Sequence, residues 1–178
     1  MRRRGFLAGV TTAVLGSTAG CISLLLGSGD GHVRPDGDPD TVPESRRCDR
    51  DTLTTYEQLY DEEPRWGRTE QFMIRVDRLS VDYGETVTIT LTNTSDHPVT
   101  TASDRQFQFE IYTADGWQEI RRCVDSCPVF STVTVGHAPS TGFEWEIPLT
   151  EAGISDAGVG GVVVCPDLVS GRYRFVYA

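Results

Sequence analysis

The sequence predicts an all-β fold, an antiparallel sandwich over residues 71–178, and three observations carry that expectation. From Gln71 onward apolar side chains recur with a period of two, which puts alternate residues on opposite faces of a sheet. Clusters of turn formers interrupt these runs roughly every ten residues, the rhythm of short hairpin-connected strands. No helical period is read among them.

Taken in order, Phe72, Ile74 and Val76 alternate with Met73 and Arg75. Val87, Ile89 and Leu91 alternate with Thr86, Thr88, Thr90 and Thr92 in the clearest strand of the chain, which stops at Asn93, Thr94, Ser95 and Asp96. Phe107, Phe109 and Ile111 form the next strand, and Ala114, Asp115 and Gly116 turn it towards Trp117, Glu119 and Ile120. Val133 and Val135 follow, then Phe143, Trp145 and Ile147 after a break at residues 139–142. Val162, Val163 and Val164 come after the glycine-rich residues 158–161, and Tyr173, Phe175 and Tyr177 close the domain. The alternating aromatics are expected in the core.

Upstream of this domain the chain changes character twice. Residues 1–20 read as a targeting segment: a positive cluster, an apolar run from Phe6 to about Leu15, then small residues. The run Arg3, Arg4, Gly5, Phe6, Leu7 resembles the twin-arginine export signal, whose machinery passes folded proteins. Thr18, Ala19, Gly20 and Cys21 resemble a lipoprotein cleavage box, with Thr18 where Leu is usual, and the resemblance implies a lipid on Cys21. A retained anchor is the alternative, because Phe6 to Leu26 is long enough to span a bilayer. Residues 21–50 are rich in Gly, Pro, Asp and Ser and are expected to form a flexible tether. Asp36, Asp38 and Asp40 in that tether do not make a calcium loop, since Thr41 and Arg47 stand where such a loop needs Gly and Glu. In residues 51–70, Leu53, Tyr56, Leu59 and Tyr60 have helix-compatible spacing before Pro64, so a short helix is expected there.

Charge narrows the partners. All sixteen basic residues are Arg, against twenty-six Asp and Glu, for a formal net charge of -10. A chain beginning at Cys21 carries thirteen Arg and the same acids, a net of -13. Nucleic acid is therefore excluded as a partner. The Lys-free, acidic composition resembles proteins of extreme halophiles, in which concentrated salt screens the self-repulsion; high-GC codon usage alone is the alternative reason for Arg in place of Lys.

Residues 84–99 (GETVTITLTNTSDHPV), 107–120 (FQFEIYTADGWQEI) and 170–178 (SGRYRFVYA) resemble the immunoglobulin-like domains of bacterial and archaeal cell-surface lipoproteins. The first two segments are also similar to the intracellular proteinase inhibitor family, which shares the sandwich. The likeness implies an extracellular binding or envelope-structural module, or alternatively a proteinase inhibitor acting through an exposed loop. The Cys-containing residues 122–128 and the glycine-rich stretch near Gly158 depart from both patterns.

Chemistry is sparse. Beyond Cys21 the chain has Cys48, Cys123, Cys127 and Cys165, an even set that implies two disulfides outside the cell, with three pairings open. A Cys-based metal or redox site using Cys123, Cys127, Cys165 and His137 is the rival reading. A blue-copper site is excluded, because neither His nor Met follows Cys165. His32, His97 and His137 lie in no nucleophile motif, and Glu144 and Glu146 share the face opposite the aromatics as solvated charge. Asn93, Thr94, Ser95 is a formal N-glycosylation sequon whose Asn is expected in an exposed turn. The reading is a non-enzymatic, cofactor-free module on the outer face of the cytoplasmic membrane. Its expected partners are that membrane and an unidentified extracellular protein or glycan.

Overall fold

The computed structural model describes residues 31–56, 58–127 and 133–177, so the export residues Arg3, Arg4, Phe6 and Leu7, with Cys21, lie outside the described residues. The fold is mostly β, every strand pairing is antiparallel, and one short helix is present among the described residues. Among the described residues eleven strands are met in chain order: β1 (Leu53–Thr55), β2 (Phe72–Val76), β3 (Thr86–Asn93), β4 (Val99–Thr101), β5 (Phe107–Thr113), β6 (Gly116–Glu119), β7 (Arg121–Val124), β8 (Val135–His137), β9 (Gly142–Pro148), β10 (Val162–Val164) and β11 (Tyr173–Tyr177).

Two three-stranded sheets build the core. In the first, ordered β2-β3-β9, Ile89 lies opposite both Val76 and Trp145, and Leu91 opposite both Ile74 and Phe143. The period of two in each strand thus sums to one apolar face, with the Thr side chains of β3 on the other. In the second, ordered β11-β5-β6, Phe107, Phe109 and Ile111 lie opposite Tyr177, Phe175 and Tyr173. Side chains of both sheets enter one hydrophobic cluster, in which Phe107 and Ile147 have no exposed surface. Each such side chain contributes about 1.5 to 3 kcal/mol by leaving water. Trp145 sits within reach of Phe107, Phe143, Phe175 and Tyr177, and its indole N–H donates to the Asp104 carbonyl at 2.7 Å. Glu144 and Glu146 project from the exposed face of β9, as the alternation requires.

Three expectations are corrected. The described residues among 51–63 do not form a helix: Leu53–Thr55 is strand β1, paired with β7. Two adjacent β-branched Thr residues and an open edge on β7 outweigh a helical spacing too short to stand by itself. A helix does intervene among the strands, α1 (Glu151–Ala157), between β9 and β10. Its start was written in Thr150, whose hydroxyl accepts from the Gly153 N–H at 3.0 Å, and in Glu151 in the first turn; it buries Ile154. Residues 31–50 do not run free of the domain. His32 exchanges two backbone hydrogen bonds with Val76, the Arg46 N–H donates to the Gln118 side chain at 2.9 Å, and Cys48 is bonded to Cys165.

The β3–β9 pairing places a demand on one glycine. A Cβ at Gly142 would lie 1.7 Å from the Leu91 carbonyl oxygen, so the strands approach to a distance that no other residue allows. The substitution Gly142→Ala is expected to cost on the order of 3 kcal/mol through strand displacement, read as a lowered urea midpoint with an unchanged slope.

Candidate functional site

The N-terminal extension forms a third layer on the outer face of the β11-β5-β6 sheet, and buried charge holds it there. Alternation that sends Phe109 and Phe175 inward sends Glu110 and Arg174 outward, where Tyr60 and Glu63 meet them. Arg174 Nε donates to Glu110, its Nη1 to Glu63 at 3.0 Å and its Nη2 to the Tyr60 hydroxyl at 2.6 Å, while the guanidinium lies 4.4 Å from the Trp117 ring centroid. Tyr60 donates in turn to Glu110 at 2.7 Å. Burial and that bond push the Tyr60 hydroxyl up to about 12. Beside this network Arg121 pairs with Glu119 at 2.9 Å, donates to the Phe107 carbonyl, and lies 4.7 Å from each of the Tyr56 and Phe107 rings. Burial raises Tyr56 to about 12. Phenols held neutral and guanidiniums bonded to buried carboxylates tie the outer layer to the sheet, so this network is a fastening.

Sequence-singled residues are dispersed by the fold. Cys48 pairs with Cys165, and Cys123 with Cys127. The set Cys123, Cys127, Cys165 and His137 is therefore not assembled: its cysteines belong to different disulfides, and the His137 ring packs edge-on against Phe72 and Phe143 with Nε2 2.7 Å from the Thr101 hydroxyl. Among the described residues no group of three or more His, Cys, Asp or Glu side chains is arranged to hold a metal ion. His97 bonds its neighbour Asp96 in an exposed turn. Asn93 is a correction. Instead of standing in an exposed turn it is 1 % exposed, its amide donates to the carbonyls of His97 and His137, and its oxygen accepts from Ser95. The sequon is a turn clasp with the acceptor nitrogen fully used.

What the structure does bring together is a groove of about 850 Å³, of the size of small-molecule sites. It opens where β2, an edge of the first sheet, and β11, an edge of the second, face each other. The floor is core: Ile89, Phe109 and Ile154. The rim comes from residues 32–41 and 64–67, including Trp66, which is 37 % exposed and has the Arg34 guanidinium 5.5 Å from its ring centroid. Six arginines and two aspartates line the groove, a cationic balance inside an acidic chain. Arg174 and Arg78 carry carboxylate partners; Arg34, Arg65, Arg75 and Arg172 have none among the described residues. Arg172 donates instead to the Gly37 carbonyl at 2.8 Å, which lays the tether along the opening. A second cleft, beside Arg46 and Cys165, encloses only about 10 Å³, room for a single water.

One wall of the groove is held by a carboxylate. Glu151 accepts from the Tyr83 hydroxyl at 2.5 Å and from the Leu168 N–H at 2.9 Å, joining two loops that line the cavity. These bonds, that of Tyr83 first, hold the Glu151 carboxyl below the ordinary glutamate range. A depressed folded value stabilises above the unfolded value and is lost as pH falls through the folded one. The groove wall is therefore expected to loosen below about pH 4.3. Hydrogen exchange at Leu168 should rise there and stay flat from pH 5 to 8, and Glu151→Gln should abolish the transition.

No helix among the described residues is long and apolar enough to cross a membrane. Comparisons of the chain with protein-family models, curated proteins and solved structures find no match.

Proposed function

We propose that the chain is an exported, membrane-anchored module of immunoglobulin-like sandwich fold that works by binding at the outer face of the cytoplasmic membrane and not by catalysis. The observation that carries this reading is the cysteine pattern: the four cysteines after the N-terminal box pair among themselves, which suits an oxidising compartment and leaves Cys21 for the lipid. The sequence signals agree, with Arg3, Arg4, Phe6 and Leu7 as the export element. Two sheets facing across one core support the sandwich, and the candidate surface for binding is the arginine-lined groove.

Protease treatment of intact cells tests the location. The protein is expected to be degraded without lysis, Arg3→Lys/Arg4→Lys to leave it protected inside, and Cys21→Ala to release it or leave an unprocessed precursor. Protection of the unaltered protein in intact cells would overturn the proposal. An unaltered protein that is digestible on intact cells but keeps residues 1–20 and carries no lipid on Cys21 would move the anchor to residues 6–26 and keep the location.

A further inference from the structure

We infer that the groove between β2 and β11 binds an amphiphilic organic anion, a carboxylate head carried on an apolar chain or ring. The inference deepens the binding-module reading and depends on it for nothing but the claim that the groove is a site. Its volume of about 850 Å³ suits a small molecule, and its surface is divided in the way such a ligand requires. Core side chains Ile89, Phe109 and Ile154 form the floor, which favours an apolar body. Around the floor stand Arg34, Arg65, Arg75 and Arg172 without carboxylate partners among the described residues.

Those arginines are anomalous for the chain they are in. Carboxylates outnumber arginines 26 to 16, so a guanidinium has many candidate acid partners, yet the groove gathers four Arg without a carboxylate partner among the described residues beside only Asp40 and Asp82. Concentrated salt removes long-range steering but leaves short, charge-assisted hydrogen bonds in a half-enclosed site, where Arg engages a planar carboxylate through two parallel N–H donors. The Trp66 face beside Arg34 adds a flat apolar surface next to the charge. A simple inorganic anion would leave the floor unused, a neutral amphiphile would leave the arginines unpaired, and a cation would be repelled.

Decanoate, kept below its micelle concentration, is the probe. Binding is read by tryptophan fluorescence and calorimetry on the full-length protein held in neutral phosphatidylcholine nanodiscs in concentrated KCl, with empty nanodiscs as the partition baseline. Decanoate is expected to bind saturably and at least tenfold more tightly than decanol or decyltrimethylammonium, and potassium sulfate not to saturate. The double substitution Arg34→Gln/Arg172→Gln should weaken decanoate at least tenfold, whereas Arg105→Gln should not change it. Trp66→Phe should remove most of the fluorescence response while calorimetry still records binding. Equal affinity for decanoate and decanol would overturn the inference, as would binding indifferent to the double substitution. Attachment to phosphatidylglycerol vesicles without decanoate binding would overturn it too, assigning the arginines to a membrane surface. Should the double variant not fold, the ranking of the three decyl probes on the unaltered protein decides alone. A protein found outside the cell that ignores decanoate would sink this ligand and leave the anchored module standing; one that binds decanoate but is confined inside would do the reverse.

Discussion

The replacement Cys48→Ala/Cys165→Ala is expected to lower the stability of the domain by about 5 kcal/mol, because the lost bond closes a loop spanning 117 residues of sequence. The same loop-entropy relation gives about 2 kcal/mol for Cys123–Cys127, whose separation is 4. Against a total of about 5 to 15 kcal/mol the first loss brings the fold near its threshold and the second does not. Urea unfolding of the two double-alanine variants in the same salt checks both the sizes and their order. The long-range bond also has a functional consequence. Cys48 lies between the groove rim at residues 32–41 and the rest of the domain, while Cys165 lies at the end of β10. Any pull from the N-terminal side thus reaches the domain at a covalent point, and without the bond the rim depends on the His32–Val76 bridge, on Arg46 and on the Arg172–Gly37 contact.

Arg174→Met is expected to cost about 3 to 5 kcal/mol, since it strands the Glu110 carboxylate under the covering layer. Arg174→Met/Glu110→Leu should recover most of that loss, because a well-packed apolar pair in place of a buried ion pair is often neutral. The single variant should also free residues 56–63, which Glu63 and Tyr60 tie to the guanidinium, and limited proteolysis would report the cut there. A single variant as stable as the parent would mean that the network is wet and that the outer layer is held by Tyr56 and Leu59 packing alone.

How much of this was legible in the sequence depended on whether the signal was local. Strand β3 announced itself because four Thr alternating with apolar residues, ended by Asn-Thr-Ser-Asp, have few other readings. The aromatic run of β9 was equally plain, since period two and burial coincide there, whereas in β5 and β11 the covering layer also buries Gln108, Glu110 and Arg174 on the opposite face. Residues 53–55 misled because three residues carry no period, and an available edge on β7 decided their state. The helix α1 was hidden by Gly153 in its middle and by its length of 7 residues, although Thr150 and Glu151 spelled its start. Asn93 shows one residue type serving two readings: a sequon and a turn clasp are written with the same letters, and only burial separates them. The disulfide pairing awaited topology. So did the groove, because Arg34, Arg75 and Arg172 come from three distant segments that no motif spans, and their one sequence signal was an excess of Arg without Lys.

The central claim, that this chain is a disulfide-stapled module anchored through its N-terminus, meets its most direct test in intact mass spectrometry of the protein purified from native membranes, before and after reduction. The expected result is a chain that begins at a lipid-bearing Cys21 and gains four hydrogens on reduction, two for each of the bonds Cys48–Cys165 and Cys123–Cys127. An unprocessed N-terminus together with four thiols already free would contradict it.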